Sequence, residues 1–163
     1  MGTESIAGWT DRSGVLGGIE HPYAIGFTDD GERLVAIDHD RCAWVAVLDE
    51  GHITALREDL ADQEPASERT FGYPTCEGRP VLYSSFEVQD LPLEAPGGWR
   101  VERRDPGKDS CNLYLVGPES TDLLSRLGAG WEETFIAGFS PCGRYLALRD
   151  FGCLVLLVRD GAF

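Results

Sequence analysis

The sequence predicts an all-β fold of antiparallel sheets, and three observations carry that prediction. Short apolar runs bounded by turn-forming residues recur along the chain, as at 23–28, 33–39, 42–49 and 52–57. Two stretches are copies of one another: GFTDDGERLVAIDHDRCAWVAVLD from Gly26 and GFSPCGRYLALRDFGCLVLLVRD from Gly138. Within each copy one strand reads as a near-continuous apolar run (42–48; 154–158), the pattern of a strand covered on both faces. The 163 residues suffice for one domain spanning 1–163 with its own core.

Aligning the copies sets Gly26, Phe27, Gly31, Leu34 and Asp38 on Gly138, Phe139, Gly143, Leu146 and Asp150. A one-residue gap then brings Cys42 onto Cys153. Each copy reads as strand, glycine turn, strand, short turn, long strand. The turns Asp29-Asp30-Gly31 and Pro141-Cys142-Gly143 put Asp or Pro early and Gly where the backbone needs positive φ.

The string F-[ST]-x-x-G-x-x-L-[VA], then Asp, then a buried strand, resembles the second-to-third strand region of WD40-type or TolB-type β-propeller blades. The resemblance spans about 25 residues at each copy, and the Trp-Asp dipeptide and Gly-His pair of well-formed WD40 repeats are missing. It implies repeated four-strand units. The copies begin 112 residues apart, three blades if a blade takes just under about 40 residues. Four blades would use the whole chain, and the last copy, which ends after three strands, would take its outer strand from residues 4–12. The alternative is an antiparallel sandwich or open barrel built from the same hairpin.

In chain order, residues 1–19 read as Gly-rich and irregular, anchored by Trp9. The four runs from 23 to 57 make one four-strand unit. Residues 58–69, acidic and interrupted by Pro65, read as an exposed loop. Gly78-Arg79-Pro80-Val81 is a faint third occurrence of the hairpin pattern, with Pro80 marking an edge or strand start. A strand at 81–88, a loop at 90–98, and a hairpin of 99–104 with 111–116 follow. Residues 121–127 read as a strand, with a short helix capped by Ser120 or Thr121 as the alternative.

Charge excludes more than it assigns. Twenty-eight acidic against 14 basic residues give −14, and residues 1–70 alone hold 15 acids and 5 bases, net −10. Such a chain repels phosphate backbones, so no nucleic-acid partner is expected, while a basic protein partner is favoured. No apolar run reaches membrane length and the N-terminus lacks signal-peptide features, so no membrane partner and a cytoplasmic location are expected. Cys42, Cys76, Cys111, Cys142 and Cys153 form an odd set without C-x-x-C spacing, read as reduced and mostly buried, with Cys42 and Cys153 slow to react.

Chemistry-bearing motifs are sparse. Asp38-His39-Asp40, near His52, is the most suggestive cluster, but alternation along a strand would keep its side chains apart, and an Asx-type turn explains it. Ser84, Ser85, Ser110 and Ser140 have no G-x-S-x-G context, and Gly17-Gly18 and Gly97-Gly98 lack a phosphate-loop setting. Arg100, Arg103, Arg104 and Lys108 surround Glu102 and Asp105, the pattern of local ion pairing. Trp99 and Trp131 follow Gly-rich segments, where an indole often serves as an interface anchor.

These observations lead to a non-catalytic protein-binding module, not an enzyme, of the kind that inhibits or confers immunity against a basic partner such as a toxin. No cofactor and no metal are expected. The expected partner-binding residues are Asp29, Asp30, Asp49 and Glu50 at turns, with Trp99 and Trp131. The alternatives are a small hydrolase around His39 and His52, or a piece of a larger propeller scaffold.

Overall fold

The computed structural model describes residues 6–17, 19–40, 42–50, 52–58, 75–86, 88–107, 110–127, 135–150 and 152–161. It is all-β, with every strand pairing antiparallel. The N-terminal stretch contributes β1 (Trp9–Asp11) and a 3-10 turn at Ser13–Leu16. The first copy supplies β2 (Ala24–Thr28), β3 (Arg33–Ile37) and β4 (Ala43–Asp49), followed by β5 (His52–Glu58). The middle holds β6 (Thr75–Cys76), β7 (Arg79–Ser85), β8 (Glu94–Ala95), β9 (Trp99–Gly107), β10 (Ser110–Val116) and β11 (Thr121–Leu127). The second copy supplies β12 (Ala137–Phe139), β13 (Tyr145–Asp150) and β14 (Cys153–Arg159).

Among the described residues three sheets result, ordered β1-β14-β13-β12, β11-β10-β9-β8 and β5-β4-β3-β2-β7-β6, and one sheet curls into a half-barrel. The second copy does take its outer strand from the N-terminus: Trp9 pairs with Arg159 and Asp11 with Leu157. Among the described residues the strands do not divide into the four expected blades, and the alternative of an antiparallel sandwich or open barrel fits. In a blade the strand equivalent to β2 would be innermost and unpaired on one side. Here β7 pairs along its whole length, Ala24 with Ser85 through Thr28 with Val81. The faint third occurrence at 78–83 therefore joins the first copy's sheet. Its turn, Glu77 at φ 51 and Gly78 at φ 78, is the tight left-handed type that returns a two-residue β6 against β7.

The β1-β14-β13-β12 sheet is the middle layer, and alternation explains its apolar runs. Tyr145, Ala147, Leu154, Leu156 and Val158 face a core shared with Ile25, Phe27, Leu34, Ala36, Ala46 and Leu48 of the first copy. Leu146, Leu148, Val155 and Leu157 face a second core with Trp9, Val101, Leu113 and Leu115. The opposite face of the six-stranded sheet buries Val35, Ile37, Val45, Val81 and Tyr83. Each copy thus turns its phenylalanine into a core between sheets: Phe27 stacks on Tyr145 of the middle sheet at 6.2 Å, and Phe139, tilted against Trp9 at 5.9 Å, joins the core shared with Val101, Leu113 and Leu115.

The repeated Gly-Phe has a packing reason. A Cβ on Gly26 would meet the Tyr83 ring at 2.7 Å, and one on Gly138 would collide with Leu91. In both copies a bulky neighbour lies across the bare backbone of the first strand. The turn glycines Gly31 (φ +73) and Gly143 (φ +75) adopt the left-handed conformation the spacing predicts.

Candidate functional site

Strand direction decides which turns share an end. The β2–β3 and β4–β5 turns lie together, tied by Leu48 N–H donating to the Glu32 carbonyl at 2.9 Å. The β6–β7 turn joins them through the Arg33–Glu77 ion pair at 2.9 Å and Arg79 at 3.5 Å from Asp30. The second copy's turn stacks on the first, since a Cβ on Gly31 would lie 2.8 Å from the Cys142 thiol. The start of β9 closes the row: the Arg159 guanidinium donates to the Pro96 carbonyl at 2.7 Å, and Gly143 abuts Pro96. Asp29, Asp30, Asp49, Glu50 and Trp99 therefore share one rim; Trp131 lies outside the described residues, as does most of the predicted 58–69 loop.

The members of that rim differ in what they are free to do. Asp29, Asp49 and Glu50 are exposed. Asp30 is occupied: it accepts the Thr28 hydroxyl at 2.6 Å and the Glu32 N–H at 3.0 Å. Burial raises its pKa, but these hydrogen bonds and the Arg79 and Arg33 charges outweigh it and hold the carboxyl below its ordinary value. Trp99 is half-buried, edge-on to Trp9 at 5.6 Å and seated over Gly8 and Gly117, so part of its ring belongs to the core.

The sequence reasoning missed Glu32 and Asp160, both exposed and both on this rim. Asp160 accepts the Thr10 hydroxyl, and a cleft of about 140 Å³ lies between it and the β4–β5 turn, lined by Arg12, Glu50, His52 and Arg159. The signal was present: the offset that brings Cys42 onto Cys153 also brings Asp49 onto Asp160. Two equivalent acidic strand ends therefore meet side by side.

The opposite end holds Asp38-His39-Asp40. The Asx-turn expectation is right for Asp38, whose Oδ1 accepts the Asp40 and Cys42 N–H groups at 2.9 and 3.0 Å. Its Oδ2 accepts the Trp44 indole N–H at 2.9 Å. The expectation that the three side chains stay apart needs correction, because β3 stops at Ile37 and residues 38–40 follow turn geometry, not strand alternation. Their ligand atoms all lie within 4.8 Å of one another. His39 Nδ1 lies 3.1 Å from the Glu20 carbonyl; that hydrogen bond outweighs desolvation and, with Asp40 and Asp38, raises the ring's pKa. His39 and His52 sit at opposite ends of β4, roughly 20 Å apart at ~3.3 Å per residue, so they do not share a site.

Other candidates resolve into structure. Arg100 and Arg104 each pair with Glu102, at 3.1 and 3.0 Å, as the interleaved charges suggested. The Ser140 hydroxyl accepts the Tyr145 N–H at 3.2 Å and Ser84 accepts the Ala137 N–H at 3.2 Å. Cys42, Cys76, Cys142 and Cys153 are thiols, but Cys142 and Cys153 are exposed. Cys153 opens β14 at the sheet margin, so it will not be slow to react. The chain matches no family model, no curated protein and no solved structure.

Proposed function

We propose that the protein is a non-catalytic binding module whose turn rim docks a basic protein, as inhibitors and immunity-type proteins dock a cationic toxin. One observation carries this reading: Asp29, Glu32, Asp49, Glu50 and Asp160 come from two turns and one strand end and converge on one exposed rim. Acids gathered this way steer a cationic surface and fix its approach more than they add affinity. The two repeated hairpins stack with their turns on the same rim, and such rims of turns serve as docking surfaces on propeller-like and sandwich scaffolds alike; that part rests on fold-level analogy.

The test begins with capture of a partner from the source lysate at low and high salt, followed by stopped-flow association. Asp29→Asn, Asp49→Asn, Glu50→Gln and Asp160→Asn together should slow association by roughly tenfold at low salt and flatten its salt dependence. The control is Glu20→Gln with Asp40→Asn, exposed acids at the other end; Asp38 is unsuitable because it is buried and holds its turn. Equal slowing by both sets reduces the effect to net charge, and no slowing by either removes the acidic-rim reading.

A further inference from the structure

The far end of the molecule carries a second feature, independent of the rim. Among the described residues, Asp38, His39 and Asp40 are the group of three whose ligand atoms draw together. His39 is oriented from outside the cluster: its Nδ1 meets the backbone carbonyl of Glu20, 19 positions away and across the junction between the two copies. A carbonyl only accepts, so Nδ1 carries the proton and donates, and in the neutral ring Nε2 holds the lone pair. That lone pair sits 3.5 Å from Asp40 Oδ2. At this separation the protonated ring pairs with the carboxylate, and the neutral ring presents two lone pairs to a single cation. The His21 ring stands edge-on to His39 at 5.6 Å and restricts its rotation. Asp38, fixed by three hydrogen bonds, offers the remaining lone pairs of its two oxygens from a rigid base.

We propose that His39 Nε2, Asp40 Oδ2 and the Asp38 carboxylate bind one divalent transition-metal ion of the zinc or nickel type. An imidazole whose second nitrogen donates to a carbonyl is the usual arrangement of a metal-bound histidine, and it favours these ions over magnesium or calcium. His39 and Asp40 need only side-chain adjustment to close on an ion held at the fixed Asp38 carboxylate, because both side chains are exposed. The metal staples the β3–β4 turn to the Glu20 segment. That segment also holds the second copy, through the His21 N–H donating to the Gly152 carbonyl at 2.8 Å and the Glu20–Cys153 bridge. The bound ion is structural, linking the two copies at the end away from the acidic rim.

The experiment uses the untagged full chain at pH 8 with zinc alone as the probe. Calorimetric titration should give one saturable site, the His39 ring resonances should shift while those of His52 do not, and Tm should rise with zinc because the native state alone presents the site. His39→Ala and Asp40→Asn should each weaken binding by about tenfold or more and abolish the Tm rise, with the fold retained since both side chains are exposed. Absence of saturable binding, or binding that survives both substitutions, overturns the proposal.

Discussion

The two hairpin copies share an interior and differ in their neighbours. Phe27 and Phe139 are both fully buried, Asp38 and Asp150 are both buried, and the turn hydroxyls of Thr28 and Ser140 each accept the N–H five residues on. What flanks them differs. The free side of β2 takes a complete strand, β7. The corresponding side of β12 is satisfied piecemeal by the Ser84 hydroxyl, the Gln89 amide donating to the Ala137 carbonyl at 3.0 Å, and the Pro92 carbonyl accepting from Phe139 at 2.8 Å. On the other flank, β4 pairs with the next strand in sequence, whereas β14 pairs with the distant N-terminus. The difference teaches that the repeated motif encodes a hairpin and its apolar faces, and leaves the edges to whatever the rest of the chain supplies.

The largest expected effect tests the shared interior. Phe27→Ala and Phe139→Ala should each cost roughly 3–5 kcal/mol, by transfer and cavity terms together, measured by denaturant unfolding. Losses that differ several-fold would break the equivalence of the copies.

The next effect sharpens the difference between the buried aspartates. Asp38→Ala orphans two backbone N–H groups and the Trp44 indole, whereas Asp150 accepts the Ser125 hydroxyl of the neighbouring sheet. A buried group left unpaired costs about 1–3 kcal/mol, so Asp38→Ala should be the worse substitution, near or above the top of that range. Gln89→Ala follows, at about 1 kcal/mol or more, because it removes the amide bonds to the Leu91 and Ala137 carbonyls and the acceptor of the Ser84 hydroxyl. Hydrogen exchange at β12 should accelerate while exchange at β2 stays unchanged; acceleration at both would show that the two edges are not independent.

How much of this was legible follows from the same division. Turn residues and apolar alternation are local, so the strands at 24–28, 33–37, 43–49 and 52–58, the two glycine turns and the strand at 121–127 could be read to within a residue or two. The N-terminal closing strand was legible because the second copy lacked an outer strand. The β2–β7 pairing was not: Gly78-Arg79-Pro80 carries the same local signal as a hairpin start, and only the Gly26–Tyr83 contact, invisible in sequence, assigns it to the first copy's sheet. The rim was half legible. Asp29, Asp49 and Glu50 sit at recognisable turns, but Asp160 becomes part of the patch only once the middle sheet brings β14 beside the β4–β5 turn. The closeness of the Asp38, His39 and Asp40 side chains was misread because strand alternation was extended one turn too far.

The smallest effect concerns the turns themselves, where Asp30 in the first copy is matched by Cys142 in the second. Thr28 donates its hydroxyl to the Asp30 carboxylate at 2.6 Å; the Ser140 hydroxyl meets the Cys142 thiol at 3.2 Å. The first contact is charged and the second neutral, so only the first should respond to acid. The Asp30 pKa is lowered in the folded chain, so around and below the ordinary carboxylate value the unfolded chain binds more protons than the native one. The contribution is complete above the unfolded pKa and fades as pH falls through the lower, folded value. Asp30→Asn should therefore reduce Tm at neutral pH, by less than the substitutions above, and the difference from the parent chain should vanish once the medium is acid enough to protonate the folded carboxyl. Cys142→Ser keeps a neutral partner for Ser140, and its difference from the parent should be flat over the same acid range. Thermal melts of the three chains from neutral to strongly acid pH check this. A Tm difference for Asp30→Asn that persists unchanged in acid would mean that the turn is held by geometry and not by charge, and the two copies would then be alike in this respect as well.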